Sequence, residues 1–425
     1  MQSSTGNRPL WQPEQVPQPY RDCAPRDLDV LIVGGGVAGL STAWHATSMG
    51  IRTMVLEAGS LASRASGRND GQVLLGLGEH LNRLVGQWGH EDALLLWRFI
   101  EENHRGIAKV ISDEEIDCSY QEKGGLRLAD STQEWKELVK TSALMDQEGI
   151  LHRLVKQEEL ATFLPLSREF YGALFLEGEA IFDPYAFVHG LARSATAEGL
   201  AIREQARACR ITGELGDFSV ELEEGEEVRC KVLVYASSAL DRELDSSGYL
   251  ARTLFPFRGQ ILATGDLPES ILDRMPPWAM SSNFCYEYFR THAGRMTLGG
   301  MRWSVKGEES GLTDDRLVNP EITEHLLEWL DRHFPDIANE VSVRGVDRVW
   351  SGIMAGTPDG LPLVGEIPGQ PGKFACTGFN GYGMSLSWLA GRSLAEMIQE
   401  GRSSRPAARL FRPDRFQDDL GLITG

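Results

Sequence analysis

The stretch Leu28-Asp-Val-Leu-Ile-Val-Gly-Gly-Gly-Val-Ala-Gly39 decides the fold. Val30-Leu-Ile-Val33 is apolar without a break and reads as a buried strand, and from Gly34 the chain is too rich in glycine to continue it. Helical spacing follows to about Met49, and a second short strand occupies Thr53-Met-Val-Leu-Glu57. Strand, glycine turn, helix and second strand form a βαβ unit, which predicts an α/β, Rossmann-like dinucleotide-binding domain. In such a unit Gly34, Gly36 and Gly39 let the backbone turn and approach a pyrophosphate, with Val37 and Ala38 at the helix N-terminus. Glu57 lies 21 residues after Gly36, placed to accept ribose hydroxyls, with Ala58 beside it. A tight turn without a ligand needs the glycines but not the acid. The fingerprint serves NAD and FAD alike, so the cofactor must be decided elsewhere in the chain.

The rest of the chain narrows the class. Its 425 residues are 42% hydrophobic, enough for a large core and more than one lobe. A net charge of −19, from 61 acidic and 42 basic residues, disfavours nucleic acid and anionic membrane as partners. Six cysteines without paired spacing indicate neither a zinc site nor a disulfide framework, so no metal is expected. With a polar, proline-rich start and no apolar run long enough to span a bilayer, the expected location is cytoplasmic.

Two further loops bear on the cofactor. Arg64-Ala-Ser-Gly-Arg-Asn-Asp-Gly-Gln72 follows the ribose acid closely and carries two cations, several donors and two glycines. As a surface loop it is unremarkable in composition, but from this position its NH groups and Arg68 can run along a pyrophosphate towards a flavin ring. Phe374-Ala-Cys-Thr-Gly-Phe-Asn-Gly-Tyr-Gly-Met384 is a strand breaking into spaced glycines before a helix from about Ser385 to Gln399. Its helix N-terminus suits the partial negative charge of a flavin's pyrimidine edge.

These motifs, with Phe182-Asp-Pro184, Arg258-Gly-Gln260, Thr357-Pro-Asp359 and Leu389-Ala-Gly-Arg392, resemble the D-amino-acid-oxidase superfamily of FAD-dependent oxidoreductases, and more closely its γ-glutamylputrescine oxidase-like branch. The resemblance spans residues 27–400. It implies a glycine-oxidase-like fold: a Rossmann-like FAD domain at 27–90, 173–254 and 345–402, and a β-sheet substrate domain at 91–172 and 255–344. An extended lead-in at 1–26 and a tail at 403–425 flank them. It further implies FAD contacts at Gly34, Gly36, Val37, Ala38, Gly39, Glu57, Ala58, Arg64, Ala65, Ser66, Gly67, Arg68, Asn69, Gly71, Gln72, Gly352, Met354, Asn380, Gly381, Tyr382, Gly383 and Met384. Ala208 would meet the adenine.

The implied activity is oxidation of a C–N bond in an amine or modified amino compound by hydride transfer to flavin N5. The resulting imine would hydrolyse, with peroxide formed if oxygen is the acceptor. A dehydrogenase passing electrons to a quinone or carrier, and a noncatalytic flavin-binding partner protein, are the alternatives.

The departures from the family pattern are informative. Where members that hold an α-carboxylate carry arginine, three residues before the threonine of Thr357-Pro-Asp359, this chain has Met354. An unpaired carboxylate in a dry pocket is strongly disfavoured, so a simple α-amino acid is not the expected substrate. Gly352 stands at the position of the cysteine that attaches FAD in other members, which implies noncovalent FAD. The oxygen-assisting lysine corresponds to Thr297, and Asp70 replaces a common glycine. Tyr382, Met354, Trp350 and Tyr286 are the expected pocket residues, with Tyr288, Phe284 and Trp303 completing an aromatic set able to surround an amine. Arg302, Arg290 and Arg348 are the remaining candidates for an anion anchor. His80, His189 and His292 are candidate proton carriers with nothing in the sequence to single them out.

Overall fold

The structure is a computed structural model that describes residues 7–15 and 17–417. Val30–Val33 lies inside a six-stranded sheet ordered 363–366, 373–377, 232–235, 30–33, 53–56, 201–203, parallel except for its first pair. Its strands are apolar on both faces because both are covered, as parallel sheets require. Helix α1 (Val37–Ser48) crosses helix α2 (Gly383–Glu400) so closely that a Cβ on Gly391 would stand 2.6 Å from Thr42 N. That contact brings the two ends of the chain together at one site.

The second lobe is an eight-stranded sheet ordered 346–356, 255–264, 295–299, 287–292, 279–282, 125–128, 172–176, 152–156. Alternation along its strands separates the two faces. Leu262, Leu298 and Phe289 pack under helices Pro320–His333 and Pro335–Arg344 through Leu326, Trp329, Leu330 and Phe334. Phe257, Gly259 and Ile261 face the other way, paired with Met354, Gly352 and Trp350.

Several expected boundaries differ. Strands Gly172–Leu176, expected in the FAD domain from residue 173 on, and Val346–Gly356, expected there throughout, hydrogen-bond within the second sheet. Helix His90–Asp113, expected in the substrate domain, buries Trp97, Phe99 and Ile100 in the same core as Leu386 and Leu389 of α2, because its apolar stripe matches that helix. Strands Gly125–Leu128 and His152–Lys156 interrupt text that reads as helical from 91 to 164.

Nor is the lead-in merely extended: Trp11 is buried, donates from Nε1 to Gly67 O at 2.8 Å and meets Trp350 edge to face. In the tail, Phe411 is buried and Arg415 grips Asp359 at 2.7 Å and 3.0 Å. This pair fastens the Thr357-Pro-Asp359 turn. Residues 1–6 of the lead-in and 418–425 of the tail lie outside the described residues.

Candidate active site

A cavity of about 1020 Å³ runs between the lobes. At one end lie Gly34, Gly36, Val37, Ala38, Glu57, Ala58 and Ala208, and at the other Met354, Tyr286, Tyr288, Phe257 and Tyr382. Arg64, Ala65, Ser66, Arg68, Asn69, Gln72, Gly352, Asn380, Gly381, Gly383 and Met384 line the space between. The volume and elongation suit a dinucleotide with a small substrate beside its ring.

The donors fit that group. Helix α1 opens at Gly36, which has no side chain to cap it, and carries no acidic residue in its first turn; Ser66 Oγ accepts Val37 N at 2.9 Å, and the positive helix end faces the cavity. A Cβ on Gly36 would lie 2.9 Å from Ser66 Oγ, so the glycine keeps this approach open. Helix α2 likewise opens at Tyr382 with no side-chain cap and no acid in its first turn. Glu57 accepts Gly35 N at Oε2 and Gly59 N at Oε1, each at 2.8 Å, which fixes its carboxyl at the mouth of the second strand. Burial pushes its proton affinity up, and those two NH groups hold it down.

Several expected site residues do not line the cavity. Gly39, Gly67 and Gly71 serve backbone packing instead: a Cβ would lie 1.9 Å from Gly34 O, 2.0 Å from Ala62 O and 2.2 Å from Phe182 O, respectively. Trp350 is fully buried and donates to Arg68 O at 2.9 Å, covered by Trp11, so it is core rather than pocket. Arg68 lines the cavity but does not reach out to a ring, because Nε donates to Ser351 O at 2.5 Å and Nη2 to Asn7 O at 2.8 Å. Trp303 lies outside the lining and donates to Glu287 at 2.6 Å. Thr297 is buried with Oγ1 on Arg290 O, away from the cavity.

Sequence reasoning missed Ser237 and Ser238, which also line the cavity. The signal was present, since ligands sit at the carboxyl ends of parallel strands and Ala236-Ser-Ser follows Val232–Tyr235. It also missed Leu77–Glu79, placed by a left-handed turn with φ of 75°, 56° and 70° at Gly76, Leu77 and Gly78.

Asp70 also lines the cavity. Burial raises its carboxyl to about 6, with the nearby Arg290 guanidinium opposing. A carboxyl raised above its unfolded value destabilises as it ionises, so its penalty is absent below about pH 4 and complete above about pH 6. Asp70→Asn is therefore expected to raise the melting temperature more at pH 8 than at pH 4. Equal shifts at both values would refute the assignment.

The two lobes, the glycine cradle and the contiguous aromatic pocket define a dinucleotide-dependent oxidoreductase. The chain belongs to the DAO family, FAD dependent oxidoreductases, whose match covers residues 29–397. It is an FAD-binding enzyme of that family. It is 25% identical to gamma-glutamylputrescine oxidoreductase of Escherichia coli over 381 residues, covering 87% of this chain and 83% of that one. It is 24% identical to the probable oxidoreductase OrdL of Haemophilus influenzae over 375 residues, 87% and 82% of the two chains. Among solved structures, glycine oxidase from Geobacillus kaustophilus superposes with a TM-score of 0.74 at 22% identity, covering 91% of this chain and 98% of that one. No helix among the described residues is long and apolar enough to cross a membrane.

Proposed function

We propose that this enzyme oxidises a C–N bond of an amine or modified amino compound, with noncovalent FAD held by the cradle described above. FAD held there would supply an acceptor for a hydride from the carbon beside nitrogen, which would leave an imine for water to hydrolyse. Gly36, Val37 and Ala38 at the end of α1 would hold the pyrophosphate, Glu57 the ribose, the Ala208 main chain the adenine, and the end of α2 the pyrimidine edge. Gly352 offers no thiol for covalent attachment.

Met354 carries the reading of the substrate. Its Cε would lie 2.7 Å from a Cβ on Gly259, and its Sδ 3.2 Å from one on Gly381, so an apolar thioether fills the wall between these two glycines. An α-carboxylate placed there would lose its water without gaining a cation. Phe257, Tyr286, Tyr288 and Tyr382 instead offer rings to orient an amine, and the drier surroundings favour its neutral, reactive form. No side chain is needed as a dedicated base. The similarity to gamma-glutamylputrescine oxidoreductase supports an amine substrate.

The acceptor is read from Thr297. Threonine stands there where the family's oxygen-assisting members carry lysine, which favours a quinone or carrier over oxygen. Anaerobic mixing with mono-, di- and polyamines, N-methyl amino acids and ω-amino acids is expected to bleach the flavin with one class. Slow recolouring in air would support the carrier reading, and rapid recolouring with peroxide would refute it. A flavin that no amine bleaches would end the amine reading.

A further inference from the structure

Four arginines line the cavity, and three are already placed by protein or lie at its nucleotide end. Arg64 and Arg68 both meet Asp315, and Arg68 is further engaged by Ser351 and Asn7. Arg207 stands beside Ala208 with Glu223 at 3.7 Å. Arg302 is at the substrate end. Among the described residues its polar partner is Glu308, with Nη1 at 3.3 Å from the carbonyl and 3.5 Å from the carboxylate, both at the limit for a hydrogen bond. Nε and Nη2 donate to nothing there. The Glu308 side chain is 54% exposed against 25% for Arg302, so water screens the pair.

The guanidinium is nevertheless held in place. It lies 4.7 Å from the centre of the Phe257 ring and 5.9 Å from that of Tyr286, both cavity residues. Stacking on rings sets the plane of an arginine while leaving its edge free to donate two parallel hydrogen bonds. Phe257 is the ladder partner of Met354, so the cation enters the cavity next to the apolar wall, displaced towards the exposed Tyr286. Of the carboxyls in the cavity wall, Glu79 is bonded by Arg83 at 2.5 Å and Asp70 lies near the Arg290 guanidinium.

We propose that Arg302 binds a carboxylate of the substrate through Nε and Nη2, so that the substrate is an amine whose anionic group is remote from the reacting C–N bond. This rests on the amine-oxidising reading above. An α-amino acid keeps its carboxylate against Met354, where nothing pairs it. A plain polyamine would bring an ammonium against Arg302, which repels it.

The test uses the holoenzyme and matched compounds: 6-aminohexanoate against hexylamine and 1,6-diaminohexane, each followed by anaerobic flavin bleaching. The carboxylate-bearing member is expected to have the lowest KM. Arg302→Gln is expected to raise that KM by roughly 10- to 100-fold, the range for a hydrogen-bonded charge, with kcat changed little and the KM for hexylamine unmoved. Arg302→Lys should recover part of the loss, because it restores the charge without the fork. Hexanoate, which has no amine, reads the anchor independently through its perturbation of the flavin spectrum, which should saturate in the wild type and weaken by a similar factor in Arg302→Gln.

An unchanged hexanoate titration in both variants, or a diamine preferred to 6-aminohexanoate, overturns the anchor even if amines bleach the flavin. Hexanoate binding lost in Arg302→Gln with no bleaching by any amine leaves the anchor standing and overturns the amine reading instead.

Discussion

Gly39→Ala is expected to purify without stoichiometric flavin and with a lowered melting temperature. A Cβ at Gly39 would lie 1.9 Å from the carbonyl oxygen of Gly34, and 3.4 Å from Ala236 Cβ. No rotamer relieves a clash with backbone, so α1 must move away from the strand it follows. Gly34 cannot yield in return, since its own missing Cβ would lie 2.3 Å from Ala236 O at a φ of +123°. The helix N-terminus therefore leaves the position in which it lines the cavity, and stability falls by about 3 kcal/mol, the upper end of overpacking. The flavin-to-protein absorbance ratio and a thermal melt measure both effects. A variant that purifies with full flavin would show that α1 and the glycine turn are not packed this way.

Arg127→Met is expected to cost about 3–5 kcal/mol, the loss seen when one member of a buried ion pair is removed. Arg127 and Glu179 are 2% and 1% exposed, with Nη2 to Oε1 at 2.8 Å. Arg127 also donates to Glu79 O at 3.1 Å and to Leu75 O, while Glu179 Oε1 accepts Leu75 N at 3.0 Å. Together they clamp both ends of the left-handed turn at 76–78. That turn holds Gly78 so near Tyr382 that a Cβ would lie 1.6 Å from its hydroxyl, which places Leu77 and Glu79 in the cavity wall.

Without the guanidinium, Glu179 keeps a buried charge with no counterion and the turn loses two acceptors' partners. Urea unfolding of Arg127→Met, Glu179→Met and the double variant tests this. Most of the loss should return in the double variant, because two apolar groups remove the stranded charge. A single variant within about 1 kcal/mol of wild type would show that the pair is not the clamp of this turn.

What could be read in advance follows from sequence distance. The glycine turn and Glu57 are separated by one helix, and their spacing alone carries the dinucleotide chemistry. The second glycine loop was legible for the same reason, as a strand, three glycines and a helix within 374–400. Strand Gly125–Leu128 was not, because four residues flanked by helices carry little periodicity, and its partner Ala279–Ser282 lies far along the chain. Trp11 was equally silent, since one aromatic in a proline-rich segment gives no pattern, and only the folded chain places it over Trp350.

The pocket divides along the same line. Met354 was placed by its offset from Thr357, a local feature that survives folding unchanged. Trp350 belongs to the same strand and was expected beside it, yet the Arg68 loop and Trp11 cover it.

By itself, then, the sequence determined the glycine turn with its acid and the methionine three residues before Thr357, because short-range spacing encodes both. Only the tertiary structure decided which cations remain available at the substrate end. Arg68 and Arg302 both line the cavity, but Arg68 is engaged by Ser351 and Asn7 while Arg302 is left to two rings and a screened carboxylate. An arginine's role depends on its counter-charges, and here those come from segments that meet only when the chain has folded.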